Sequence, residues 1–183
     1  RERIVEARMK LKARFERAVA ETPAMSDSDP AGSGPPNRHG MPRLPPGQVA
    51  TEKWPVLDLG EHPVIQTQAW RLTVDGACET PLSLRWADFM ALEQVRDSSD
   101  FHCVTTWSKF DIPWVGVRLS ELIARSLPHD DARFVLCHAY DGYTTNLELV
   151  ECMKPDVLLV HTADGKPLPI EHGGPVRMIT PQL

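Results

Sequence analysis

Apolar positions recur along this chain with different rhythms, and each rhythm predicts a different kind of structure. From Arg1 to Glu21 they fall at Ile4, Ala7, Leu11, Phe15, Ala18 and Val19 with charges between them, which predicts an amphipathic helix over residues 1–21. Thr22 to Gly40 has no such period. Pro23, Pro30, Pro35 and Pro36 stand there among Ser, Asp and Gly, a composition that buries too little to offset the entropy of ordering, and it predicts a flexible linker over 22–40. The body, 41–183, alternates short apolar runs with turn signals. Trp70 to Val74, closed by Asp75-Gly76, predicts a strand, and so do Val157 to Thr162 and Val176 to Thr180. Phe134 to Ala139 is unbroken in its apolar character and predicts a buried strand, turned by Asp141-Gly142 into a partner over Tyr143 to Leu149. Leu84 to Leu92 predicts a short helix with Ser83 as its cap, and Leu119, Leu122 and Ile123 predict another that ends near Ser126. Between these, Asp100 to Ser108 reads as a strand end rich in β-branched residues, followed by a turn or irregular crossing at Pro113 to Gly116. Strands outnumber helices without βαβ alternation, so the expected class is α+β with a mixed β-sheet.

Composition narrows the function classes. With 183 residues, 42% hydrophobic and 25% charged, the chain suits one globular domain plus an appendage. Its net charge of −5 is uneven: residues 1–17 hold seven Lys or Arg against three Glu, and the rest is acidic. An acidic body weighs against nucleic acid as a partner. No run of 18 apolar residues offers a membrane span. Cys78, Cys103, Cys137 and Cys152 are too far apart for a CxxC pair, a haem CxxCH or a small disulfide framework, which suits reduced thiols and a cytoplasmic location. The first fifty residues lack the pattern of an export leader, although the chain begins at Arg1, so a segment upstream is expected to be missing.

The candidate chemistry centres on Cys103, which lies between His102 and a run of Val104, Thr105, Thr106 and Trp107. A solitary thiol more often packs than reacts. Where it is functional, it can act as a nucleophile or as the single protein ligand of a metal whose other ligands come from a cofactor. A zinc site combining Cys103, Cys137, His102 and His138 lacks the short ligand spacings of structural zinc.

FHCVTTWS at 101–108, DGYTTNL at 141–147 and EHGGPVR at 171–177, in that order, resemble the molybdopterin-binding domain of the sulfite oxidase family. RLPPGQ at 43–48, KWPVLDLG at 53–60 and WRLTVDG at 70–76 fit its small bacterial sulfite oxidase-like branch, so the resemblance runs from about Pro42 to the last residue. It implies an oxidoreductase with a molybdenum-molybdopterin cofactor that carries out two-electron oxygen-atom transfer on a small substrate, with Cys103 as thiolate ligand of the metal. It further implies cofactor contacts from Trp54, Leu57, Asp58, His102, Thr105, Thr144, Thr145, His172 and Arg177. Arg177 would grip the cofactor phosphate, the two threonines would meet the pterin edge, and Gly173-Gly174 would let backbone N–H groups approach the ligand. With no haem or flavin motif in the chain, a separate electron-transfer partner is implied. Where sulfite oxidases follow the cysteine with a basic cluster, this chain has Val104 to Ser108, and Thr105 stands where methionine sulfoxide reductase subunits carry a glutamate. The family continues past VRMITP into a lysine-rich segment, so the chain is expected to be truncated at its C-terminus.

Two other readings of the same residues remain. One is a degenerate, non-catalytic binding module that docks through its N-terminal helix. The other is a cysteine hydrolase that uses Cys103 with His102 or His138.

Overall fold

The computed structural model describes residues 32–56 and 62–182. The expected helix over 1–21, the linker as far as residue 31, and Leu57 and Asp58 lie outside the described residues. The chain divides into two compact units. One takes residues up to 60 together with Ser98–Ile112, and the other takes Glu61–Asp97 and Pro113–Pro181.

The second unit contains most of the regular structure. Its central strand, Leu158–Ala163, is mostly buried and pairs antiparallel with the end of Trp107–Arg118 on one side. Its other edge takes Arg177–Ile179 and Lys166–Pro167. The expected helix forms over Leu119–Ser126 because Leu119, Leu122, Ile123 and Ser126 fall on one buried face, at i, i+3, i+4 and i+7. That face joins Trp70, Phe89, Val117, Val157 and Leu159 in the core, where the Trp70 and Phe89 rings lie 5.2 Å apart.

Three expectations for this unit are corrected. Pro113 to Gly116 is no turn but part of the strand Trp107–Arg118, and the Pro113 carbonyl accepts the Asp164 N–H at 3.0 Å. Ser83 caps nothing: it lies in the strand Leu82–Arg85, and the helix follows over Trp86–Met90. Phe134–His138 is a strand but not a buried one. Among the described residues it pairs only with Thr144–Glu148, and Phe134 and Leu136 face solvent while Val135 packs against the core.

The first unit is built on a hairpin of Val95–Cys103 and Trp107–Arg118, which enters the unit at Ser98 and leaves it after Ile112. Ser33–Pro36, within the stretch expected as linker, is instead a strand paired with Pro42–Leu44. The loop between them is held by the Asn37 side chain, whose Oδ1 accepts the N–H groups of His39 and Met41. Val49–Ala50 then runs parallel to Trp107–Ser108.

Arg43 ties these segments together. Its guanidinium grips Asp100 through Nε at 3.0 Å and Nη2 at 3.1 Å, reaches Asp111 at 2.5 Å, and lies 4.5 Å over the Phe110 ring. The two carboxylates hold the guanidinium in its charged form. Asp100 is well buried, with its side chain 12% exposed, whereas Asp111 is open to solvent and contributes little. We expect Arg43→Ala to cost about 2 kcal/mol, mostly by stranding the Asp100 carboxylate, and urea unfolding of the two proteins checks it.

Candidate cofactor site

The tip of the first unit's hairpin presents the thiol. Val104, Thr105 and Thr106 look like strand residues, yet they form a turn in which Thr106 adopts φ +66° and its N–H donates to the Cys103 carbonyl at 3.0 Å. Neighbouring chain stabilises this left-handed residue: the Thr106 carbonyl accepts the Val49 N–H at 3.0 Å, and the Ser108 carbonyl accepts the Thr51 N–H at 2.8 Å. Cys103 is half-buried there, with its Sγ 3.2 Å from the Thr105 hydroxyl. When the sulfur is a thiolate it can only accept, so Thr105 becomes the donor.

Alternation along the strand puts Phe101 and Cys103 on one face and His102 on the other. Phe101 stacks on Trp107 at 5.6 Å, and Trp54 meets its edge at 6.0 Å. His102 turns instead to Ser108, whose Oγ lies 2.8 Å from its Nδ1. Burial lowers the basicity of His102, with Asp100 opposing that shift, so the ring is neutral at neutral pH.

Gln48 was not singled out as a site residue by sequence. Its side-chain N–H donates to the Cys103 carbonyl at 3.0 Å while its Oε1 accepts from Ser108 at 3.1 Å. Both contacts span more than fifty residues of chain, and no local pattern reveals them. Ser108 is fully buried.

The second unit carries the other expected contacts. Thr144 and Thr145 begin a strand after a tight turn in which the Asp141 carboxylate accepts the Tyr143 N–H at 2.8 Å. The Tyr140 hydroxyl fastens this turn to Arg71, accepting its N–H at 2.7 Å and donating to its carbonyl at 2.9 Å. Thr145 lies across the ladder from Cys137, whose sulfur is 4.0 Å from that of Met178, next in chain to Arg177. Burial pushes the Cys137 thiol up, and that of Cys152 to about 11, so neither is a ready thiolate.

In the glycine loop, Arg177 Nη1 donates to the His172 carbonyl at 3.0 Å. Burial keeps His172 neutral against the influence of Glu171. The glycine N–H groups are not presented to a ligand as expected: Gly173 donates to Ile170 and Gly174 to Pro169. The glycines serve the loop itself. Gly173 has φ +93°, and a Cβ on Gly174 would crowd the Leu168 and Pro169 carbonyls.

Thus Trp54, His102, Cys103 and Thr105 belong to the first unit, and Thr144, Thr145, His172 and Arg177 to the second. Among the described residues no three His, Cys, Asp or Glu side chains converge on a point that could hold a metal. The first unit offers one thiol with a hydroxyl 3.2 Å away, and the second offers a guanidinium anchored on the glycine loop.

Comparison with known proteins shows the family. The family model described as "Oxidoreductase molybdopterin binding domain" matches residues 59–183. Over 142 residues the chain is 37% identical to the uncharacterized oxidoreductase YuiH of Bacillus subtilis (strain 168), covering 77% of this chain and 72% of that protein. It is 29% identical over 151 residues to the protein-methionine-sulfoxide reductase catalytic subunit MsrP of Campylobacter jejuni, covering 73% of this chain and 50% of that protein. Among solved structures, the sulfane dehydrogenase SoxCD of Paracoccus pantotrophus superposes with a TM-score of 0.62 at 17% identity, over 86% of this chain and 44% of the other, a likeness of fold.

Proposed function

The chain belongs to the oxidoreductase molybdopterin binding domain family, and from that premise we propose that it transfers an oxygen atom to or from a small substrate with Cys103 as the thiolate ligand of molybdenum. The observation that carries this reading is the half-buried Cys103 thiol at a hairpin tip, 3.2 Å from a hydroxyl that can donate to it. When bound, the molybdenum cofactor supplies the two-electron couple.

The chain's own residues bind and orient. Thr105 donates to the Cys103 thiolate and steadies its orientation. Trp54, Phe101 and Trp107 provide an aromatic wall, and Thr144 and Thr145 offer hydroxyl groups to a heterocycle edge. Arg177, anchored by its bond to the His172 carbonyl, is the cation for a phosphate. The reading extends to a separate electron-transfer partner and to a reducing, cytoplasmic setting, for which four free cysteines are the support. Among the described residues, no helix is long and apolar enough to cross a membrane.

The test is to quantify molybdenum and pterin in the purified chain and to incubate it, with an added chemical reductant, with a panel of small sulfoxides labelled with heavy oxygen. We expect metal and pterin in near-equal amounts, with sulfide formed and the label leaving the sulfoxide for water. Metal and pterin without label transfer would remove the oxygen-transfer reading, and absence of both would remove Cys103 as a molybdenum ligand.

A further inference from the structure

We propose that Gln48 and Ser108 are positioning residues that hold His102 with its proton on Nδ1, leaving Nε2 as a bare acceptor for an N–H or O–H donor of the bound ligand. The direction of each hydrogen bond follows from one fixed end. The Cys103 carbonyl can only accept, so the group of Gln48 lying 3.0 Å from it is the amide NH2, and Oε1 faces the other way. Oε1 also only accepts, so at 3.1 Å the Ser108 hydroxyl spends its single proton on it. The remaining Ser108 contact, 2.8 Å to His102 Nδ1, then requires the proton to be on the imidazole. At a pH where the imidazole is uncharged it has one N–H, so Nε2 is left without one. Ser108 is fully buried, so water does not offer a competing arrangement.

His161 shows the opposite outcome in the second unit. Gln94 donates its amide to the Phe89 and Leu92 carbonyls, both at 3.1 Å, so its Oε1 faces His161 Nε2 at 3.1 Å and demands a proton there. Thr162 completes that ring by donating to Nδ1 at 2.9 Å. Both nitrogens of His161 are used up. His102 Nε2, in contrast, has no partner among the described residues.

This inference deepens the molybdopterin reading and rests on it for the ligand's identity. It makes His102 Nε2 an acceptor, so a ligand group that meets it must bring an N–H or O–H.

The tautomer can be measured directly, by two-bond proton–nitrogen correlation spectra of the histidine-labelled full chain at mildly alkaline pH, with His102 identified by the signals lost in His102→Gln. We expect a protonated Nδ1 and an unprotonated Nε2 in the wild type. Ser108→Ala should release that preference and lower pterin retention by about tenfold, and Ser108→Thr should restore both. A wild-type ring protonated on Nε2 overturns the inference, as does a Ser108→Ala protein whose tautomer is unchanged. Because the wild-type spectrum needs no cofactor, a chain that purifies without pterin sinks the molybdopterin reading while this measurement still decides the tautomer.

Discussion

Replacing Cys103 with serine should leave a folded protein whose oxidoreductase activity is reduced by more than about a hundredfold, beyond the range typical of outer-shell contacts to a metal. The reasoning starts from the sulfur. A thiol gives up its proton near neutrality and becomes a soft, strongly donating ligand, whereas a serine hydroxyl stays protonated there and is a hard donor. The turn itself does not depend on the side chain: Thr106 N–H and the Gln48 amide both bind the Cys103 carbonyl, which serine keeps. Unfolding midpoints should therefore match while the metal content or its spectrum changes. A variant that retains activity within about a factor of three has no metal bond at this position, because even outer contacts are worth more than that.

The largest stability effect is expected far from any cysteine, at Gly116. It faces Val160 across the central ladder, and a Cβ there would lie 2.6 Å from the Val160 Cα and overlap the Leu159 carbonyl. Both obstacles are backbone within a paired strand, so neither can rotate away. Gly116→Ala should cost about 3 kcal/mol or more, roughly a hundredfold in the folding equilibrium. Gly165→Ala makes the contrast. That residue has φ +72° but open space around it, so only the backbone conformation is penalised, by about 1 kcal/mol. Chemical denaturation of both variants checks the difference, and equal costs would show that the ladder can open at Gly116.

Gly116 also shows why part of the fold was hidden from sequence. Beside Pro113 it reads as a turn, and only the partner strand reveals that the glycine is needed for close approach. Leu119–Ser126 was legible because its own period selects its buried face. Val104 to Thr106 misled for the opposite reason. Their β preference is local, and bonds from Thr106 to Cys103 and Val49 override it. Phe134 and Leu136 misled because an unbroken apolar run looks the same whether one face or both are covered. At the site, Cys103 stood out only through the ordered motifs around it, since one thiol in isolation has no period or spacing. Two of the crossings between the units, after Asp97 and after Ile112, fall inside strands, where composition does not change.

That crossing bears on how the protein is made. The strands Ser33–Pro36, Pro42–Leu44 and Val49–Ala50 precede the hairpin that Val49, Gln48 and Arg43 bind, with some 57 residues between Arg43 and Asp100. At the usual pace of synthesis Val49–Ala50 waits roughly 3 to 10 s before its ladder partner Trp107–Ser108 exists. Throughout that interval this short strand has unpaired amides, and the surroundings of the thiol are assembled only when the hairpin arrives. The prolines at 35, 36, 42, 45 and 46 fall in this waiting stretch, where each removes an N–H that a neighbouring chain could have captured.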